Sequence, residues 1–270
     1  MRSEPCEYVN RLSIIQQAAI TPSAAARSRI LSVPGEPLLI SDWDRALMIH
    51  YEVDAEALQR IVPFELDLRD GRAFISLVAF TMRGMRFFRG GALTGWLLKP
   101  IATHNFLNVR TYVRQGREDG IYFLAEWLNN KLSVMLGPGV FGLPYRLGRL
   151  DYEHDWNMRA LRGRVEDKKG SFEYHAILEA TPEARESKPG SLAEWLMERY
   201  TAFTQTGSLT RFFRVWHRPW RQVPVEVTIA DQSLLECNWP LFRNTRPIGA
   251  NFSRGLNGVW MGRPHLAEST

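Results

Sequence analysis

Two cysteines, Cys6 and Cys237, are all that this chain of 270 residues contains. They exclude a disulfide framework and point to a reducing compartment, so a cytoplasmic location is expected. Lysine is scarce as well: it stands only at 99, 131, 168, 169 and 188, so five of the 34 basic residues are lysine and 29 are arginine. No apolar run approaches the ~18 residues of a membrane span, so no membrane partner is expected. The first residues, Met1 to Glu7, include acids and lead into no apolar stretch, so no secretory signal is expected. The six histidines show neither HxH nor HxxxH spacing, and the cysteines add no metal pair. A P-loop, a GxGxxG turn and a GxSxG elbow are all missing, so neither a metal nor another cofactor is expected. Basic residues are spread along the chain without a dense block, and nucleic acid is set aside as a partner.

What is present is an ordinary globular balance, 45% hydrophobic and 23% charged with a net charge of +5. Arginine-rich composition has a bland source in GC-rich codons and a functional one in gripping carboxylate or phosphate with a planar fork. Residues 1–36 mix Ser, Ala, Pro and Arg and read as a tail, with at most a weak or partner-dependent helix over Ser23 to Arg27. Residues 37–270 read as one domain. Asp54 is placed to cap a short helix that Pro63 closes. Strands are predicted over 74–82, 107–114, 120–127, 145–152, 158–165, 172–180, 209–216 and 223–230, with hairpins at 115–119 and 166–170. A short helix is predicted over 129–136, stopped by Gly137-Pro138-Gly139. Ser191 with Glu194 forms a capping box that opens the one long helix, carrying Leu192, Trp195, Leu196, Arg199 and Phe203 on one face. Residues 238–262 carry little signal. The fold class that follows is mainly β with minor α: an antiparallel β-barrel or closed sandwich with one long helix and several short ones.

Alternation sorts the candidate site residues. Along 108–113, Asn108, Arg110 and Tyr112 share one face and Val109, Thr111 and Val113 the other. The polar face lies either toward a cavity or toward solvent. Glu126 is a further candidate for a pocket carboxylate. His217 alternates with Phe213 and Val215 on one strand face; it reads first as a hydrogen-bonded anchor and second as a general acid or base. The turn Gly142-Leu143-Pro144 combines a residue that tolerates positive φ with one that fixes φ, and so aims Tyr145 and Arg146 reproducibly. Tyr145 is suited to donate to a carbonyl or oxyanion and Arg146 to hold a carboxylate. Lys168 and Lys169 are adjacent, as amine activation favours, but they lie in a polar hairpin between Asp167 and Gly170 and are expected to be solvated.

Four stretches stand in an order that resembles the YqjF-like family: Asn108-Val109-Arg110-Thr111-Tyr112-Val113, Val140 to Arg146, Glu198-Arg199-Tyr200 and His217-Arg218-Pro219-Trp220. The resemblance covers roughly residues 37–264 and implies a fold related to acetoacetate decarboxylase. In those decarboxylases a similar Gly-Phe-Pro turn is followed by two lysines, the first of which forms a Schiff base with the substrate. Here these places read Tyr145 and Arg146, so imine chemistry is not expected. The resemblance therefore implies a pocket for an anionic or carbonyl-bearing organic metabolite. Asn108, Arg110, Tyr145 and Arg146 would bind the ligand, with Tyr145 and His217 as catalytic candidates for a lyase-like reaction without an imine. The alternatives are a non-catalytic sensor or carrier, and an oligomeric structural protein whose barrel centre is filled. A homo-oligomer fits any of these.

Overall fold

The computed structural model describes residues 21–179 and 183–267. Cys6 and most of the expected tail lie outside them. The first described element is helix α1, Pro22–Leu31, capped by the Thr21 hydroxyl, which accepts from the Ala24 amide at 3.3 Å. This part of the expected tail is packed rather than loose. Ser23 Oγ donates to the His217 carbonyl at 2.6 Å, and Trp216 Nε1 donates to the Ser23 carbonyl at 3.1 Å. Its buried face is only Ser23, Ala26 and Ile30, too small an apolar stripe to stand out in the sequence.

Strand β1, Leu39–Val53, is followed by α2, Ala55–Gln59, which the Asp54 carboxylate caps through the Ala57 amide at 2.7 Å. After β2, Glu65–Leu66, the chain forms β3, Ala73–Phe87, and helix α3, Gly91–Leu98. A 3-10 turn, Lys99–Ile101, leads into β4, His104–Gln115, which pairs with β5, Glu118–Leu128, as a tight hairpin. Helix α4, Lys131–Phe141, is capped by Asn130 and runs straight through the Gly137-Pro138-Gly139 expected to end it. It stops at Gly142, whose φ of +71° is the left-handed C-terminal conformation that glycine adopts without strain. Packing overrides the breaker: Phe141 is buried against Phe213 in the last turn, and this holds the helix to its end.

The strand expected over 145–152 is two, β6 (Tyr145–Leu147) and β7 (Arg149–Asp155), divided at Gly148. A hairpin of β8, Ala160–Asp167, and β9, Gly170–Ile177, follows, and then β10, Arg185–Glu186. The capping box is present, with Ser191 Oγ accepting from the Glu194 amide, yet α5 is only Leu192–Met197. The long helix does not form, because Phe203 belongs to β11, Thr201–Thr206, which pairs with β12, Leu209–Trp216, and with β5. Ladder bonds and burial of Phe203 against Phe64 outweigh the helical spacing. Strand β13, Arg221–Asp231, and α6, Ser233–Asn238, lead to β14, Pro247–Met261, and the short β15, His265–Leu266. The sequence did not reveal the 15-residue β14. At Gly255 it passes so close to β1 that a Cβ would stand 2.2 Å from the Trp43 carbonyl oxygen.

One large sheet results, mostly antiparallel, with parallel pairings of β5 to β6 and to β11. Its path runs β12-β11-β5-β4-β3-β1-β14, and Val215 and Trp216 pair with Met261 and Trp260 to join β12 to β14. The sheet thus curls back on itself and buries side chains on both faces. Val109 and Val113 enter the larger apolar core with Leu77, Trp127 and Phe252, and the opposite face of β4 turns toward a separate space. The solvent-facing reading of 108–112 is therefore excluded.

Candidate functional site

The space on that opposite face is a cavity of about 360 Å³. Four alternate residues of β4 line it: His104, Phe106, Asn108 and Arg110. At ~3.3 Å per residue these positions span about 20 Å, so the cavity is elongated. Strand register sets Asn108 opposite Glu126, and Glu126 opposite Tyr145 on the parallel β6, so three polar side chains stand in one row across the sheet. On the other side of β4, Asn108 pairs with Val78 and Val78 with Met48, which continue the row as an apolar wall. Helix α4 covers the space with Ser133, Leu136, Gly137, Val140 and Phe141, the spacing of one helical face. Leu98 and Ile101 close it beside the start of β4.

Within these apolar walls several polar atoms have no hydrogen-bond partner among the described residues: Arg110 Nε, Asn108 Oδ1, Glu126 Oε2, Ser133 Oγ and both ring nitrogens of His104. All five side chains are buried. Buried polar groups are normally satisfied, and leaving one unpaired costs about 1–3 kcal/mol. A concentration of such groups around one cavity is the mark of a site that a ligand completes.

Arg110 stands at the end near α5, where Nη2 donates to the Leu196 carbonyl at 3.2 Å. Beneath it His50 Nδ1 meets Ser76 Oγ at 2.7 Å, and Ser76 meets the Tyr112 hydroxyl, which donates to the same carbonyl at 2.9 Å. Burial lowers the Arg110 pKa, and the neighbouring Arg199 charge adds to that, while Tyr112 and Glu198 oppose it. Arg199 is itself neutralised by Asp67 at 2.8 Å. Burial pushes Glu126 up to about 8, against the pull of the Arg110 charge, so this carboxyl carries a proton at neutral pH. Tyr145 is raised well above the usual phenol value by burial and by Glu126, so its hydroxyl is a donor. Burial lowers His104 to about 4 and leaves a neutral ring. Titratable groups shifted in opposite directions around one cavity are typical of functional sites.

Of the residues singled out in the sequence, Asn108, Arg110 and Tyr145 meet in this cavity. Arg146 does not. It points to the other face of β6, where it lies over Trp127 and Trp239 at 5.0 and 5.6 Å and donates to Asn238 Oδ1 at 2.7 Å. The two follow each other on a strand, so the turn that aims Tyr145 inward necessarily sends Arg146 outward. His217 stands behind the wall, packed among Tyr200, Trp220 and Trp43, with Nδ1 donating to the Arg218 carbonyl at 2.8 Å. That is the anchoring position. Burial first, with the Arg110 charge in support, lowers its pKa to about 4. Lys168 and Lys169 stay in the β8–β9 hairpin, and no lysine lines the cavity among the described residues. Glu126, the further candidate for a pocket carboxylate, also lines the cavity, and it is the sole charge in the apolar run Ile121 to Leu128. His104 has a weaker signal, as the next inward position after Phe106.

A family model described as DUF2071, an uncharacterised conserved protein, matches residues 41–254. The "uncharacterized protein YqjF" of Bacillus subtilis is 28% identical over 222 residues, 81% of this chain and 89% of that one. Acetoacetate decarboxylase of Legionella pneumophila superposes with a TM-score of 0.59 at 12% identity, covering 90% of this chain and 95% of that structure. The enduracididine biosynthesis enzyme MppR, complexed with pyruvate, gives 0.58 at 14% identity over 87% and 92%. The fold is thus acetoacetate decarboxylase-like, as the sequence resemblance implied.

Proposed function

The chain belongs to the DUF2071 family, and on that premise we propose that its cavity binds an organic acid with an apolar body and a carboxylate or carbonyl head. The carrying observation is the set of unpaired buried polar atoms gathered around one otherwise apolar space. Arg110 meets the negative charge, since a guanidinium grips carboxylate through fixed, planar donors. Asn108 and Tyr145 orient the head, with the phenol donating to its oxygen. Glu126 enters protonated and shares that proton with the ligand, which avoids setting two anions side by side. The apolar remainder lies along Phe106, Val78 and the inner face of α4. The cavity is also open, not filled, which speaks against a purely structural role.

A reaction in this site would be of lyase or hydrolase type, with Glu126 moving a proton at the head and Arg110 and Tyr145 stabilising charge on its oxygens. It would proceed without an imine, because the residue after Pro144 is a phenol and no lysine among the described residues lines the space. The MppR structure complexed with pyruvate supports the reading, since a protein of similar fold holds a keto acid. A thermal-shift series of carboxylic and keto acids of increasing chain length tests the reading. Stabilisation should rise with chain length and vanish for the matching alcohols. A series in which acids and alcohols behave alike would overturn it.

A further inference from the structure

Helices α3 and α4 are apolar on the side facing away from the cavity as well as toward it. Trp96 is 70% and Met135 77% exposed, and Leu97, Leu132, Leu136 and Val140 stand beside them. A helix that is apolar all round belongs in an apolar environment on both faces, and only one face of α4 has one here. The two helices lie together, since Asn130 at the start of α4 donates to the Pro100 carbonyl just past α3. Leu98, Ile101, Leu136 and Val140 also line the cavity, so this exposed patch is its rim.

Charge indicates what covers the patch. Residues 84–109, which include α3, contain Arg86, Arg89 and Lys99 and no aspartate or glutamate, and residues 127–145, which include α4, contain Lys131 and none. Arg89, Lys99 and Lys131 are exposed at the ends of the two helices. A second copy of the chain docking by this face would set these cations against their own counterparts, which is unfavourable for a self-complementary contact. An anionic bilayer satisfies both features at once. Tryptophan and aliphatic side chains enter the interface while lysine and arginine meet the headgroups. That no helix among the described residues is long and apolar enough to cross a membrane is no objection, since such docking lies in the interface plane.

We propose that α3 and α4 form a docking face for an anionic membrane surface, through which the cavity receives its ligand from the bilayer. The arrangement gives the ligand an orientation: the acid head goes inward to Arg110 and the apolar end toward the rim near His104. This orientation rests on the cavity reading given above, whereas the docking face stands on its own exposure and charge.

The test is co-sedimentation of the full chain with vesicles of phosphatidylcholine alone or mixed with phosphatidylglycerol, without any cavity ligand. Binding is expected to the mixed vesicles only and to weaken with salt. The double variant Trp96→Asp, Met135→Asp should lower the bound fraction at least about tenfold. So should Lys99→Glu with Lys131→Glu, while circular dichroism and melting stay unchanged. No binding to anionic vesicles, or binding that both variants retain, would overturn the proposal. So would sedimentation showing an oligomer that Trp96→Asp dissociates, because the face would then belong to a second copy. The assay contains no acid ligand, so its failure would leave the cavity reading standing, and failure of acids to bind would leave the docking face.

Discussion

Glu126 holds its proton because burial disfavours its charged form, and this has a consequence for stability. A carboxyl in the unfolded chain titrates near 4.3. In the folded protein Glu126 titrates at about 8. Between those values only the folded state keeps the proton, so rising pH removes stability through this window and leaves it level above. Glu126→Gln should therefore gain on the wild type as pH rises from about 5 to about 8, read from urea midpoints. Equal pH slopes for the two proteins would show a carboxyl that is already ionised. Tyr145 carries the second expectation at this scale. Treating the protein with pyruvate or acetoacetate and borohydride should leave its mass unchanged, since no lysine among the described residues lines the cavity. A stable adduct on any lysine would contradict the assignment. Strict alternation along β4 put Asn108 and Arg110 on one face, and the family resemblance, rather than the alternation, turned that face toward a cavity. Arg146 was misplaced because adjacent strand residues face opposite ways, a rule that applies after the turn as much as before it.

Elements whose signals are local were legible: the Asp54 cap, the β4–β5 hairpin, the β8–β9 hairpin and the capping box at Ser191. Those decided by distant contacts were not. Helix α4 survives Pro138 because Phe141 packs against Phe213, and α5 stops at Met197 because Phe203 is claimed by the sheet. Strand β14 carries Asn, Ser, Arg and Gly in place of a β-branched run, and it is defined by its pairing with β1 and β13. The joint between α4 and β6 is where a single substitution should tell most. Gly142 sits at φ +71°, and a Cβ there would stand 2.9 Å from Thr204 Oγ1 and 3.1 Å from Thr206 Oγ1. Gly142→Val should cost about 1–3 kcal/mol in chemical denaturation, combining strain and crowding. A cost near zero would mean that the backbone there relaxes freely.

Across the whole molecule, four histidines on separate elements, His50, His104, His154 and His217, are each lowered to about 4, chiefly by burial. In the unfolded chain they titrate near 6.5. Between about 6.5 and about 4 the unfolded state binds more protons, so stability falls as the pH drops through that window. Together with the opposite slope from Glu126, this places the stability maximum from these groups near pH 7 in a melting series. A maximum displaced to pH 5 or below would show histidines that accept protons in the folded state. The sequence carried the fold at this scale through four motifs in order, but it carried no measure of the cavity. The cavity arises from residues spread between Leu38 and Met261 and from the unpaired atoms they bring together.

The account stands on Arg110 as the receptor of a ligand's negative charge. Titration calorimetry of the best-binding acid into the wild type and into Arg110→Met tests it most directly, with melting curves confirming that both are folded. Affinity should fall at least about tenfold in the variant, the loss of one buried charge-assisted contact. The same acid binding both proteins equally well would contradict the assignment.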